Sequence, residues 1–112
     1  MKIEADAMRA SADNACSLLK AMANPHRLMI VCSLVEGEQS VGALARRLGV
    51  REALASQHLG LLRQDGMVSA RRAGQTLYYS LASGHAHALV ETLFDLFCPA
   101  PTACVDPIAH AN

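Results

Sequence analysis

The chain has no tryptophan and only four aromatic residues in 112, the first of them Tyr78. Sandwich and barrel cores lean on aromatic and β-branched side chains. This chain instead carries 20 alanines, a composition suited to closely packed helices. Long apolar runs are missing as well. The longest, residues 28–32, has five members, where a membrane-spanning helix needs about 20. Residues 1–9 hold two acids and no apolar stretch, so no secretory signal is expected. The expectation is a cytoplasmic protein with no membrane partner. Net charge is absent too: ten basic residues face ten acidic ones, so global charge says nothing about a polyanionic partner. The cysteines, at positions 16, 32, 98 and 104, form no Cys-x-Cys or Cys-x-x-Cys pair, which disfavours a zinc knuckle. The five histidines are scattered and belong to no nucleophile–base motif. Neither an enzyme nor a cofactor is expected.

The zero net charge hides an asymmetry. Residues 39–82 hold Arg46, Arg47, Arg51, Arg63, Arg71 and Arg72 against Glu52 and Asp65, a net of +4, and the remainder carries −4. A basic centre between acidic ends fits a nucleic-acid face on a neutral scaffold. It fits an ordinary solvated arginine face equally well, and charge alone does not choose.

Periodicity predicts a helix over residues 4–23, with Ala5, Met8, Ala12, Ala15, Leu18, Leu19 and Met22 at helical spacing. Asn24 and Pro25 end it and start a second helix to Val35, Asn as cap and Pro at the first helical position. That second helix is apolar on nearly every face and should be the buried centre. Residues 36–39 read as a polar turn. Ser40 caps a short third helix carrying Val41, Leu44, Ala45 and Leu48, and Gly49 breaks it. A fourth helix over 51–64 buries Leu54, Ala55, Leu59 and Leu62 and stops at Asp65-Gly66. Two short helices about a glycine turn, over 40–64, form a helix-turn-helix pattern.

Strands follow at 67–70 and 76–81, and residues 71–75 form a turn whose tip carries Arg71 and Arg72. This hairpin, 67–82, is a wing. A last helix, 84–98, aligns Leu89, Val90, Leu93, Phe94 and Phe97 and must end before Pro99. The tail, 99–112, is expected to be flexible. The predicted fold class is mainly α with a small β-hairpin: one winged helix-turn-helix domain over 1–112. The helices at 4–23 and 84–98 carry apolar stripes too large for so small a domain to cover, so a homodimer through them is expected. Such a dimer places two recognition helices in successive major grooves of double-stranded DNA.

These features resemble the ArsR/SmtB family of winged-helix repressors. The resemblance spans residues 18–97 and rests on five stretches: Leu19 through Leu28 around Asn24-Pro25-His26-Arg27, Leu44-Ala45-Arg46-Arg47-Leu48-Gly49, Ala55-Ser56-Gln57-His58-Leu59, Asp65-Gly66-Met67-Val68 and Gly74-Gln75-Thr76-Leu77-Tyr78-Tyr79. It implies a homodimer that holds operator DNA until an inducer acts. It also makes the fourth helix the reader, with Arg51, Glu52, Ser56 and Gln57 on its exposed side. The Gln57 amide both donates and accepts, as a base edge requires. His58 matches the family motif, and between Gln57 and Leu59 packing, a phosphate contact and a base contact all stay open. Arg71 and Arg72 become candidates for phosphate or the minor groove.

The same resemblance frames what is sensed. The family's third-helix thiolate site needs a cysteine pair where this chain has Val41 to Ala45. Its last-helix zinc site needs two acids and two histidines where this chain has Ser83, His85, Leu96 and Pro99, too few ligands for tetrahedral zinc. No metal site is expected from either. His87 and Glu91, four apart, read as a solvated polar pair. Cys32 in Ile30-Val31-Cys32-Ser33-Leu34, with Cys98 closing Leu96-Phe97-Cys98, is similar to the BigR, SqrR and HlyU subgroup. That likeness implies that the two thiols sense reactive sulfur species, persulfides or polysulfides, by forming a di- or polysulfide bridge within one subunit. The alternative is an arsenite or soft-metal site built from Cys98, Cys104 and either Cys32 or Cys16.

Overall fold

The structure, a computed structural model, describes residues 4–97. The order is α1 (Ala5–Met22), α2 (Pro25–Val35), β1 (Gln39–Ser40), α3 (Val41–Leu48), α4 (Glu52–Gln64), β2 (Val68–Ala73), β3 (Thr76–Leu81) and α5 (Gly84–Phe97). Local chemistry sets the boundaries. Asn24 is extended, and its Oδ1 accepts from the His26 and Arg27 amides at 2.9 and 3.2 Å, satisfying donors that α2 leaves unpaired. Arg27 reaches back and donates from Nε to the Ala21 carbonyl at 2.7 Å, at the end of α1. The same two residues therefore close one helix and open the next. Ser40 Oγ accepts from the Ala43 amide at 3.1 Å and caps α3.

Gly49, at φ 71°, ends α3 in the left-handed conformation that a side chain would disfavour. It lets the Val50 amide reach the Ala45 carbonyl at 3.0 Å and its own amide reach Arg46 at 3.2 Å. Gly66, at φ 75°, repeats the device after α4. There the Met67 amide donates to Leu62 at 2.9 Å. These two stops give the helix-turn-helix its shape.

The core lies where the short helices meet. Ile30, Val31, Leu44, Leu59 and Leu62 are its fully buried large side chains, and burying each contributes about 1.5–3 kcal/mol. Ala21, Met22, Leu34, Met67, Val68, Tyr79, Ala86 and Val90 complete the cluster. α2 sits at the centre, packed on α1, α3, α4, α5 and β3. By contrast Met8 and Leu19 on α1, and Phe94, Leu96 and Phe97 on α5, stand exposed in the single chain.

The sheet differs from the sequence expectation in two ways. β2 continues to Ala73, pairing Arg71 with Tyr78, Arg72 with Leu77 and Ala73 with Thr76. The hairpin therefore turns on Gly74-Gln75 alone, and Arg71 and Arg72 belong to the strand, not to the tip. Two-residue connections suit the right-handed twist of paired strands, and exposed arginines tolerate extended backbone. A third strand, β1, pairs Gln39 with Tyr79 and Ser40 with Tyr78, giving the antiparallel order β1-β3-β2. The Gln39 Nε2 donates to the Ser33 carbonyl at 2.7 Å and ties this strand to α2. Cys98, Cys104 and the tail at 99–112 lie outside the described residues. Among those described, no helix is long and apolar enough to cross a membrane.

Candidate nucleic-acid interface and thiol cleft

α4 presents two unlike faces. Ala55, Leu59 and Leu62 are buried, while Glu52, Ser56 and Gln57 are exposed, as is Arg51 just before the helix. Arg51 and Gln57 line one shallow hollow with Gly49, Val50, Ala53 and Leu54, beside the helix-turn-helix turn. Glu52 turns the other way: its Oε2 would lie 3.2 Å from a Cβ built on Gly42, so the carboxylate rests against α3.

His58 does not join the exposed set. It is half-buried, its Nδ1 is inaccessible and without a hydrogen-bond partner, and its ring lies 5.5 Å from that of His26 at a tilt of 54°. Burial, with the charges of Arg27 and His26, holds its pKa below the ordinary value. The structure thus turns His58 toward the start of α2, which favours the packing alternative left open by its position in the sequence.

The six arginines of the basic centre are not equivalent. Arg47 is clamped to Glu36 by two contacts of 2.8 Å. Arg71 is clamped to Glu38 at 2.8 and 2.7 Å, and its guanidinium also lies over Tyr78, 5.0 Å from the ring centre. Each pairing holds its glutamate below the usual carboxylate range. Both glutamates lie just outside residues 39–82, so the +4 of that segment overstates its free positive charge. Arg46, Arg51, Arg63 and Arg72 make no salt bridge among the described residues. Of the two wing arginines, Arg72 is the one that no carboxylate among the described residues holds.

A second feature lies between α2 and α5. Cys32 and Glu36, one turn apart, line a cleft of about 450 Å³ with Val35 and with Val90, Glu91, Phe94 and Asp95 of α5. Cys32 is only partly buried. Burial pushes its thiol pKa up, while the Arg47 guanidinium pulls it down. In sequence, Cys98 follows Phe94 and Asp95 by four and three positions. Cys16 is exposed on α1. Of the last-helix positions matching the family's zinc site, Ser83 serves as a cap: its Oγ accepts from the Ala86 amide at 3.1 Å at the start of α5. His87 faces Glu91 at 3.6 Å on the exposed surface.

A helix-turn-helix followed by a two-stranded wing places the chain among DNA-binding regulators, and comparison with known proteins makes the placement specific. Residues 24–70 match the family described as bacterial regulatory protein, arsR family. The transcriptional activator HlyU of Vibrio cholerae is 45% identical over 93 residues, covering 83% of this chain and 86% of that protein. The chain belongs to the arsR family. It is a winged-helix transcriptional regulator. The structure of reduced HlyU superposes with a TM-score of 0.78 over 81% of this chain and 96% of that one. The transcriptional repressor BigR of Xylella fastidiosa gives 0.79 at 41% identity, over 86% and 98% of the two chains. A homodimeric winged helix-turn-helix DNA-binding domain, Mb0332 from Mycobacterium bovis, gives 0.70 at 33% identity, over 86% and 89%.

Sequence reasoning missed the two arginine–glutamate clamps and β1. Glu36 and Arg47 are eleven residues apart and Glu38 and Arg71 thirty-three, beyond any local pattern. Only the run Glu36-Gly37-Glu38 beside a basic segment offered a signal.

Proposed function

We propose that this chain is a homodimeric transcriptional repressor in the cytoplasm that releases operator DNA when Cys32 and Cys98 are joined through sulfur. The observation that carries the reading is the placement of Cys32 at the edge of the apolar core, only partly buried, where it lines an open cleft between α2 and α5. The side of that cleft formed by Phe94 and Asp95 leads in sequence to Cys98. The exposed apolar residues of α1 and α5 support pairing with a second copy, which sets two α4 helices toward successive major grooves. In this reading Arg51, Ser56 and Gln57 face the bases and the adjoining backbone. Glu52 holds the approach between α3 and α4. Arg72 contacts phosphate or the minor groove, and Arg71 does so only by leaving Glu38.

The chemistry balances without a cofactor. The Cys32 thiolate attacks the outer sulfur of a hydropersulfide, RS–SH; the RS–S bond breaks, and RS⁻ leaves and takes a proton from water. Cys32 then carries –S–SH. The Cys98 thiolate attacks the Cys32 sulfur and expels HS⁻, leaving a disulfide. If Cys98 was itself persulfidated, its terminal sulfur attacks instead, and one extra sulfur atom stays in the bridge. The sulfane sulfur is the oxidant and is reduced to HS⁻. Cysteines with Cα atoms more than about 7 Å apart cannot form a plain disulfide without backbone movement, and an added sulfur atom relaxes that limit. Tying α2 to the end of α5 displaces the helix-turn-helix relative to the dimer seam, so the two half-sites no longer fit together.

The test is release of labelled promoter DNA from the reduced protein, with polysulfide, peroxide, arsenite and zinc added separately. Polysulfide should release the DNA, and Cys32→Ser and Cys98→Ser should each abolish the response. Release by arsenite alone, dependent on Cys104, would replace this reading with the soft-metal one.

A further inference from the structure

Cys32, in α2, and Glu36, the residue that closes that helix, are four positions apart and both line the α2–α5 cleft. Glu36 is held by both of its oxygens to the guanidinium of Arg47, which comes from α3. The clamp therefore holds a cation of the helix-turn-helix against a residue that lines the thiol cleft. We propose that Arg47 is a positioning residue for the Cys32 thiolate, supplying its counter-charge and sharing that charge with Glu36. This rests on the reading of Cys32 as the attacking thiol.

The surroundings make the role specific. Among the described residues the charged groups around Cys32 are Glu36, just past the end of its helix, Glu91 and Asp95 from α5, which share its cleft, and Arg47 from α3, held to Glu36. Three of the four are acids and oppose a thiolate; Arg47 is the cation among them. The Cys32 thiol and the Arg47 guanidinium already influence one another's ionisation. A thiolate, not a thiol, attacks sulfur, so the population of that anion sets how fast the cleft responds. The position of Arg47 adds a second consequence. It precedes the Gly49 turn by two residues, so any change of charge at Cys32 acts on a side chain of the helix that leads into α4. While Cys32 is an anion it competes with Glu36 for one guanidinium. Once it is bridged it is neutral, and Arg47 returns wholly to Glu36.

The test follows iodoacetamide alkylation of Cys32 in the reduced full-length protein against pH. Trypsin releases residues 28–46, in which Cys32 is the only thiol, and mass spectrometry reads its modification directly. R47Q should move the midpoint of the profile up by about half a pH unit and slow alkylation about threefold at neutral pH, with the high-pH plateau unchanged. R47K should restore most of the rate. E36Q removes an anion and frees the guanidinium, so it should move the midpoint down. Opposite shifts cannot come from a general loosening of the fold. An unmoved midpoint in R47Q, or shifts of the same sign in R47Q and E36Q, would overturn the proposal. Because alkylation involves neither Cys98 nor sulfane sulfur, its outcome is separate from that of the DNA-release experiment.

Discussion

The inner and outer faces of the same helices obey different rules. Along the seam of α2, α3 and α4, Ile30, Leu44, Leu59 and Leu62 are completely buried within one chain. At the far end of α5, Phe94 is 48% exposed, Leu96 68% and Phe97 78%, and on α1 Met8 and Leu19 are about half exposed. The seam has all the partners it needs. The outer faces of α1 and α5 carry equally apolar residues left exposed among the described residues, which is the pattern expected of a surface made for a second copy. Stability should therefore reside in the seam, and assembly in the outer helices.

The largest effect is expected at the seam. Leu59→Ala leaves a cavity between α4 and α2 and should lower unfolding free energy by about 2–5 kcal/mol, measured by urea denaturation. A loss below about 1 kcal/mol would show that the seam is not the centre of stability. Phe94→Glu should do the reverse: dimer affinity falls at least about tenfold by sedimentation, since one buried aromatic contributes well over 1.4 kcal/mol, while the fold of each chain persists. Subunits that stay paired would erase the distinction between the two faces.

A smaller effect is expected on the wing. Arg72→Ala should weaken binding to all DNA sequences alike and lower the slope of log affinity against log salt by about one. Arg71→Ala should change it less, because Glu38 already occupies that guanidinium. Loss at a single base pair would instead make Arg72 a base reader.

The smallest effect concerns His58. Its pKa is depressed in the folded chain, so the unfolded chain binds the proton more readily and stability must rise with pH across this range. The contribution is fully present above the ordinary histidine value of 6.5 and is lost as the solution is acidified below it. His58→Gln should flatten that limb in thermal melts taken at pH 7.5 and 5.5. An unchanged limb would assign it to another group.

Much of this architecture was legible before any coordinates. Asn24-Pro25, Ser40, Gly49 and Asp65-Gly66 mark helix ends by local chemistry that acts within four residues, and such signals survive in one dimension. Ala55, Leu59 and Leu62 lie on the buried face of α4 for the same reason, whereas Leu54, expected there too, is only half-buried and lines the hollow beside Gln57. Other features were hidden because their causes are not local. β1 is two residues long and has no period to detect. Arg71 and Arg72 obscured the alternation of β2, so the strand seemed to stop at Ala70. His58 shares its helix with the exposed Gln57, and only its approach to His26 from another helix shows which way it faces. The two clamps depend on chain segments brought together by the fold, and they change which arginines are available to DNA.

The most direct test of the central claim is the mass of the linked peptides after polysulfide treatment. In a Cys104→Ser protein, tryptic digestion should leave the fragment of residues 28–46 joined to that of residues 73–112 through Cys32 and Cys98, with or without added sulfur, in step with loss of DNA binding, while the undigested chain runs as a monomer on a denaturing, non-reducing gel. Loss of DNA binding while both fragments remain separate, or a linkage found only between subunits, would contradict the account.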